Sequence, residues 1–202
     1  MAQKSWRNHL WLVTCLYFLL GLYNIAFAWL GLVFFLTPLL VAIFKGDKTY
    51  CNKYCDRGRL FRFLGSRLGA SRGKPMPVWL KSRWFRYLFM AYFLGMFGSV
   101  VAVTWLVASQ AQELDSTVKL FQALRVPLDL ASSGGVFPDW ATQFAFGFYS
   151  VMLTSLTLGL MTMLLFKPRS WCVYCPMGTM TQVICELKCK DRSPATQHGH
   201  CN

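Results

Sequence analysis

The sequence predicts an all-α membrane protein. Four transmembrane helices form two hairpin repeats related in parallel, each followed by a cytoplasmic two-cysteine motif. Three observations predict it. The 202 residues are 55% hydrophobic and 14% charged, whereas soluble domains average about 45–50% apolar and about 25% charged residues. Three long apolar stretches interrupt a basic background of 21 Lys and Arg against 8 Asp and Glu. A short cysteine motif then recurs at matched positions behind those stretches.

The stretches are 9–44, 84–108 and 140–166. The second and third each exceed the roughly 20 helical residues that cross a hydrocarbon core. The first, as one helix, would extend about 54 Å at about 1.5 Å per residue, well past a core of about 30 Å. It must fold back, with the turn in 23–29 near Asn24. The spans are therefore about 9–25, 27–44, 84–108 and 140–166. They make a single membrane domain with repeat one at 9–69, repeat two at 84–182, an outer loop at 109–139 and a cytoplasmic tail at 183–202. No small-residue cleavage site follows the first apolar run, which is expected to stay in the mature protein.

Charge placement orients these spans. Of the 21 basic residues only Lys119 and Arg125 fall in 109–139, which also carries Glu113, Asp115, Asp129 and Asp139. The others lie in the N-terminal tail, in 45–86 and after Phe166. The excess of Lys and Arg on one side predicts a multi-pass protein of the bacterial inner (cytoplasmic) membrane with both termini cytoplasmic. A charge of +13 also suits nucleic acid, but its alternation with apolar runs makes membrane lipid the expected partner and nucleic acid none. Apart from Arg86, at the start of the second run, no Asp, Glu, Lys or Arg lies inside the runs, which argues against an ion pump or proton relay. The histidines, His9, His198 and His200, lie outside the span interiors, which excludes a bis-histidine haem.

Two connecting segments have amphipathic patterns. Segment 114–124 places Leu114, Val118, Phe121 and Leu124 on one helical face, which predicts an interfacial helix. Segment 57–69 mixes Arg57, Arg59, Arg62 and Arg67 with leucines and phenylalanines. It predicts a helix on the inner leaflet with its arginines at lipid phosphates, a role compatible with docking an acidic redox partner.

The chemistry sits in the repeat. The first copy covers 43–61 and the second 165–180. Each reads apolar-Phe-Lys, then aromatic-Cys (Tyr50-Cys51, Trp171-Cys172), Tyr-Cys (Tyr54-Cys55, Tyr174-Cys175), two residues and Gly (Gly58, Gly178). In a reducing cytoplasm such pairs read as metal ligands or catalytic thiols before structural disulfides. Four thiolates, Cys51, Cys55, Cys172 and Cys175, suit zinc or an iron–sulfur cluster. Flanking residues favour the cluster. Gly58 and Gly178 permit close backbone approach, and Pro176 follows Cys175. Lys45, Lys53, Arg57 and Arg59 supply cations, while Tyr50, Tyr54, Trp171 and Tyr174 supply cover from water. In the tail, Cys185, Cys189, His198, His200 and Cys201 form either a second zinc or cluster site or a basic tail with unliganded thiols. Cys15, among apolar neighbours, reads as a core residue.

The stretches YCNKYCDRGRLF and WCVYCPMGTMTQ resemble the membrane-embedded iron–sulfur family with CxxxCP-type motifs behind transmembrane helices. That family includes the quinol-dehydrogenase-like membrane subunits of nitrate and nitrous oxide respiration. The resemblance covers the layout of most of the chain and about thirty residues of motif. This chain departs from the pattern at Asp56, where the family has Pro, and in the two-residue spacing of Cys172 and Cys175. It also lacks the family's downstream ferredoxin modules. The resemblance implies a [4Fe–4S] cluster, favoured over [2Fe–2S], held by the four matching cysteines. It further implies a non-catalytic electron-transfer subunit of an oxidoreductase, passing electrons between quinone or flavin and a partner redox subunit (a flavoprotein, ferredoxin or cytochrome). A quinone would sit between the spans near Tyr23, Asn24 or Thr37. The alternatives are a membrane thiol–disulfide oxidoreductase and a metal-handling or assembly protein.

Overall fold

The computed structural model of the chain describes residues 10–45, 51, 54–67, 69–110, 118–120, 124–126 and 138–190 and is mostly helical. Helix α1 is Leu10–Tyr23 and α2 is Ala28–Lys45. Between them Asn24 leaves the helical conformation, and its side-chain oxygen accepts the Ala26 N–H at 2.9 Å, which starts a 3-10 turn over Ile25–Phe27. The break expected near Asn24 is there, because a short carboxamide satisfies a backbone donor that the interrupted helix leaves orphaned.

Helix α3, Asp56–Arg62, runs on as a π-helical turn over Phe63–Arg67. Helices α4, Val78–Lys81, and α5, Arg83–Ala108, follow. A two-stranded antiparallel sheet pairs β1, Val118–Leu120, with β2, Leu124–Val126. The chain ends in α6, Asp139–Leu165, α7, Ser170–Tyr174, and α8, Pro176–Lys190.

Among the described residues, three helical segments are long and apolar enough to cross a membrane: Ile25–Lys45, Arg83–Ala108 and Asp139–Leu165. Helix α1 is equally apolar, but its 14 residues cover only about 21 Å. Leu16, Leu19, Leu30, Val33, Leu36 and Leu40 are all exposed. So many bare leucines and valines on two helices suit hydrocarbon, not water. On α5 Trp84 and Trp105 are 76% and 75% exposed. They bracket a length of helix that spans about 31 Å, the spacing expected of indoles at the two interfaces of a bilayer.

The interfacial helix expected over 114–124 is a correction. Residues 118–120 and 124–126 pair as strands in the register Val118↔Val126, Lys119↔Arg125 and Leu120↔Leu124. Val118 is fully buried while Lys119 is half-buried, and the Lys119 N–H donates to Ser150 Oγ at 3.0 Å. The β-branched Val118 and Val126 and an apolar–basic alternation of period two outweigh the helical spacing of the leucines. By contrast, the helix expected over 57–69 is present as α3 and its π-helical extension.

The chain divides into two compact units. The first comprises 1–14, 34–90 and 159–202, and the second 15–33 and 91–158. Among the described residues, every Lys and Arg except Lys119 and Arg125 belongs to the first unit.

The second unit packs aromatic rings against glycines. Tyr149 fills the space beside Gly21, and Tyr17 that beside Gly31. The Tyr149 hydroxyl donates to the Phe18 carbonyl at 3.1 Å.

The first unit is built around α3 and α7. Trp11 stacks on Phe63 with centroids 4.4 Å apart, and the Thr14 hydroxyl donates to Asp56 Oδ2 at 2.9 Å. Phe61, fully buried, sits where a side chain on Gly159 would stand. Gly65 packs on Pro168 and Met163. After Gly69, whose φ of +66° suits glycine, an extended strap follows the end of α6. There the Arg72 N–H donates to the Leu164 carbonyl at 3.1 Å, the Ser71 hydroxyl donates to the Phe166 carbonyl, and Lys74 bridges to Phe166.

A Gly159→Val substitution drives a branched side chain into the Phe61 ring, which Trp171 holds from another side at a centroid distance of 6.5 Å. It should cost about 1–3 kcal/mol, measured as a lowered Tm in detergent. Gly98→Ala, in open space on α5, should leave Tm unchanged or raise it.

Candidate functional site

Each second cysteine of the repeated motif starts a helix. Cys55 is the N-cap of α3, and its sulfur accepts the Gly58 N–H at 3.4 Å. Cys175 closes α7, and its carbonyl accepts the Thr179 N–H at 2.9 Å at the start of α8. The backbone N–H groups of Gly178 and Met177 donate to its sulfur. The residue after each cysteine thus takes the first helical position. Proline suits it because its missing N–H needs no partner there, and aspartate suits it because a carboxylate favours the positive end of the helix dipole. Asp56 and Pro176 are two chemical solutions to one backbone requirement.

Burial on one side orients α7. Trp171 and Tyr174 are buried and meet Phe85 and Phe89 edge to face. Centroid distances are 5.6 Å for Phe85–Tyr174, 5.1 Å for Phe89–Tyr174 and 5.8 Å for Phe89–Trp171. Such contacts prefer this perpendicular geometry. With Trp171 and Tyr174 committed to the aromatic core, Cys172 and Cys175, at the same three-residue spacing, take a different face of the turn.

The two motifs meet at one cavity. Cys51, Cys55, Gly58, Arg59, Arg62, Arg169 and Cys172 line a space of about 210 Å³. A Cβ added to Gly58 would lie 3.5 Å from Cys55 Sγ and 3.6 Å from Cys172 Sγ. Those two distances, end to end, bound the separation of sulfurs from motifs more than a hundred residues apart in sequence. Cys175 does not line this cavity, although Cys172 and Cys51 both oppose its ionisation electrostatically.

Cys51 Sγ lies 3.6 Å from the buried Thr181 hydroxyl, which itself donates to the Gly178 carbonyl at 3.1 Å. With its own hydrogen so used, Thr181 accepts from the Cys51 thiol. Among the described residues no three His, Cys, Asp or Glu side chains converge as the ligands of a single metal ion do.

Burial governs the electrostatics. It pushes the Cys55 thiol well above the ordinary range, helped by the negative charge of Asp56 and by Cys175, and only partly opposed by the Gly58 N–H. Burial pushes Cys175 up to about 11, against lowering by the Gly178 N–H. Cys172 is exposed as a residue, yet enough protein surrounds its sulfur that burial raises this thiol too, against the pull of Arg169. The physical reason is common to all three: an anion with little solvent and with other sulfurs nearby is unfavourable.

Of the cations expected near the site, Arg59 lines the cavity, Lys45 and Arg57 do not, and Lys53 lies outside the described residues. Arg62 and Arg169 line it unforeseen. Their signal was available: Cys55, Gly58, Arg59 and Arg62 recur at i, i+3, i+4 and i+7, one face of a helix, and Arg169 stands three residues before Cys172. Trp171 and Tyr174 are buried as expected of aromatic cover. Tyr54 is 42% exposed and gives none, and Tyr50 lies outside the described residues.

In the tail, Cys185 is buried and disulfide-bonded, so its sulfur is not a free thiol in this structure. The Cys189 side chain, His198, His200 and Cys201 lie outside the described residues, as does His9. Cys15 is half-buried on α1, in the second unit. Comparison with known proteins finds no family, no curated protein and no solved structure that matches this chain.

The raised thiols give a test on reduced, metal-free protein. A thiol titrating near 11 is almost wholly protonated at pH 8, so alkylation of Cys175 should rise about tenfold per pH unit from 8 to 10. An ordinary cysteine, titrating near 8.5, levels off above about pH 9. Residue-resolved mass spectrometry after timed alkylation reads both. A rate for Cys175 that levels off by pH 9 contradicts the burial described here.

Proposed function

We propose that this chain is a membrane-bound iron–sulfur electron-transfer protein, with Cys51, Cys55, Cys172 and Cys175 as the cluster ligands. One observation carries the reading: Cys51 and Cys55 of the first motif and Cys172 of the second, distant in sequence, line one arginine-lined cavity. A cavity of about 210 Å³ has room for several atoms, since a liquid water's share is about 30 Å³. A single zinc needs no such space among four thiolates at about 2.3 Å. The resemblance of the two motifs to the CxxxCP-type membrane family points the same way, and with it to [4Fe–4S].

The donor set suits that group chemically. A bound cationic metal centre deprotonates coordinating thiols outright and would supply the positive charge that buried thiolates need. Arg59, Arg62 and Arg169 offset the negative charge of an iron–sulfur core carrying four thiolates. Gly58, having no Cβ, leaves open the space between Cys55 and Cys172. When bound, the cluster supplies one-electron chemistry. Cys51, Cys55, Cys172 and Cys175 would hold it, the Gly58 and Gly178 N–H groups would donate to the ligand sulfurs, and Trp171 and Tyr174 would exclude water on one side.

The same thiols argue against a thiol–disulfide oxidoreductase. An attacking cysteine needs a stabilised thiolate, and burial here works in the opposite direction. The resemblance of the motifs further suggests a subunit that passes electrons between quinone or flavin and a partner.

We further propose that α1 completes a four-span arrangement of two hairpins. Both termini and both cysteine motifs are then on the cytoplasmic side of a bacterial inner membrane. The distribution of charge supports this, with nearly all Lys and Arg on the segments that carry the motifs.

Anaerobic purification followed by iron and acid-labile sulfide analysis tests the reading. The wild-type chain should carry iron and sulfide in equal amounts and give an EPR signal on reduction. Cys51→Ala and Cys172→Ala should each lose most of the iron, whereas Cys15→Ala should keep it. A folded, colourless wild-type protein without iron refutes the proposal.

A further inference from the structure

Among the described residues that line the thiol cavity, the charged ones are all arginines. Arg59 and Arg62 come from α3 and Arg169 from the start of α7, and among the described residues neither Asp nor Glu lines the cavity. The acid nearest in sequence, Asp56, accepts the Thr14 hydroxyl. Cys172, which shares this lining with the arginines, is the exposed member of the four cysteines, and the others are half-buried. Three guanidinium groups therefore surround the point where the sulfur set comes nearest to solvent.

On the far side of α7, Trp171 and Tyr174 bury the other approach in aromatic packing. Electron exchange by tunnelling favours a short path out, and Cys172 is the most exposed of the four proposed ligands.

We propose that Arg59, Arg62 and Arg169 form the docking face for an acidic electron-carrier protein, which exchanges electrons with the thiolate-held centre at its Cys172 edge. The inference rests on the iron–sulfur reading above. One electron leaves the reduced carrier, which is oxidised, and reduces the centre by one electron; no bond is made or broken and no proton moves. Charge complementarity selects the partner, since three arginines of one sign around a recess raise the local concentration of an acidic surface and speed its encounter. Guanidinium groups also pair with carboxylates in a fixed, two-pronged geometry that lysine does not offer.

Anionic lipid is the competing occupant. It would use the same charges but would place them against headgroups, not beneath a soluble carrier.

The test uses the full, iron-loaded chain in nanodiscs of neutral phosphatidylcholine. Rates of reduction, per loaded centre, are compared for a reduced acidic ferredoxin and for a small neutral reductant. In the wild type the ferredoxin rate should fall steeply as salt is raised, and the small-reductant rate should not. In Arg62→Glu/Arg169→Glu the ratio of ferredoxin rate to small-reductant rate should fall at least about tenfold, with a flatter salt dependence. If charge reversal lowers iron loading, Arg62→Gln/Arg169→Gln reads the same ratio and should lower it about threefold.

A loaded variant whose ratio and salt dependence stay within about twofold of wild type overturns the docking proposal and leaves the cluster reading intact. So does a variant that keeps the ratio and loses only its binding to phosphatidylglycerol vesicles. Wild-type protein without iron and sulfide overturns both.

Discussion

Cysteines drawn from two distant segments meet at one cavity, where burial and neighbouring sulfurs oppose ionisation of the thiols, and much of the packing of the first unit serves that meeting. A thiolate set in such surroundings is unfavourable unless a cation compensates it. Backbone N–H donors from Gly58, Gly178 and Met177 offset part of the charge, and Arg169 offsets part of it at Cys172. The remainder keeps the thiols protonated, a state that a metal centre would reverse. Helix capping, arginine placement and the absence of carboxylates from the lining follow from the same electrostatic demand.

Packing makes the meeting of the motifs possible. α7 has only five residues, too short to hold its own shape. Its rigidity comes from Trp171 and Tyr174, which wedge into Phe61, Phe85 and Phe89. α3 is held by Trp11 stacked on Phe63, by Thr14 on Asp56 and by Phe61 seated against Gly159. Each motif is thus tied to the end of a long apolar helix, and each sulfur pair inherits the position of its helix. The strap after Gly69 bonds along the end of α6 and links the two motif-bearing segments once more.

The basic excess has two uses in one region. Most Lys and Arg stay on the segments flanking the apolar helices, the placement from which the orientation proposed above is read. Arg59 and Arg62 belong by composition to the same lipid-facing pattern, yet their helical phase turns them to the cavity. Arg67, on the π-helical extension, lies 6.0 Å from the Phe63 ring centroid and plays no part in the cavity. A few residues of register separate an arginine that meets the thiols from one that does not.

Much of this architecture follows from local sequence alone. Composition and run length determine the long apolar helices, because a 1.5 Å rise and a 30 Å core leave little choice. The break at Asn24 follows from the excess length of the first run and from the capping chemistry of asparagine. The four cysteines are legible from the repeated motif, and the helix over 57–69 from its periodicity. What local sequence misjudges is the segment 118–126. There the spacing of four apolar residues fits a helix, but the choice of a hairpin depends on Ser150 as a partner for Lys119 and on a buried place for Val118. The identities of Arg62 and Arg169 as cavity residues, and of Thr181 as the partner of Cys51, are likewise tertiary facts. They arise from contacts across a hundred or more residues, which no local pattern encodes. Spacing shows which residues share a helical face; only the folded chain decides what that face meets.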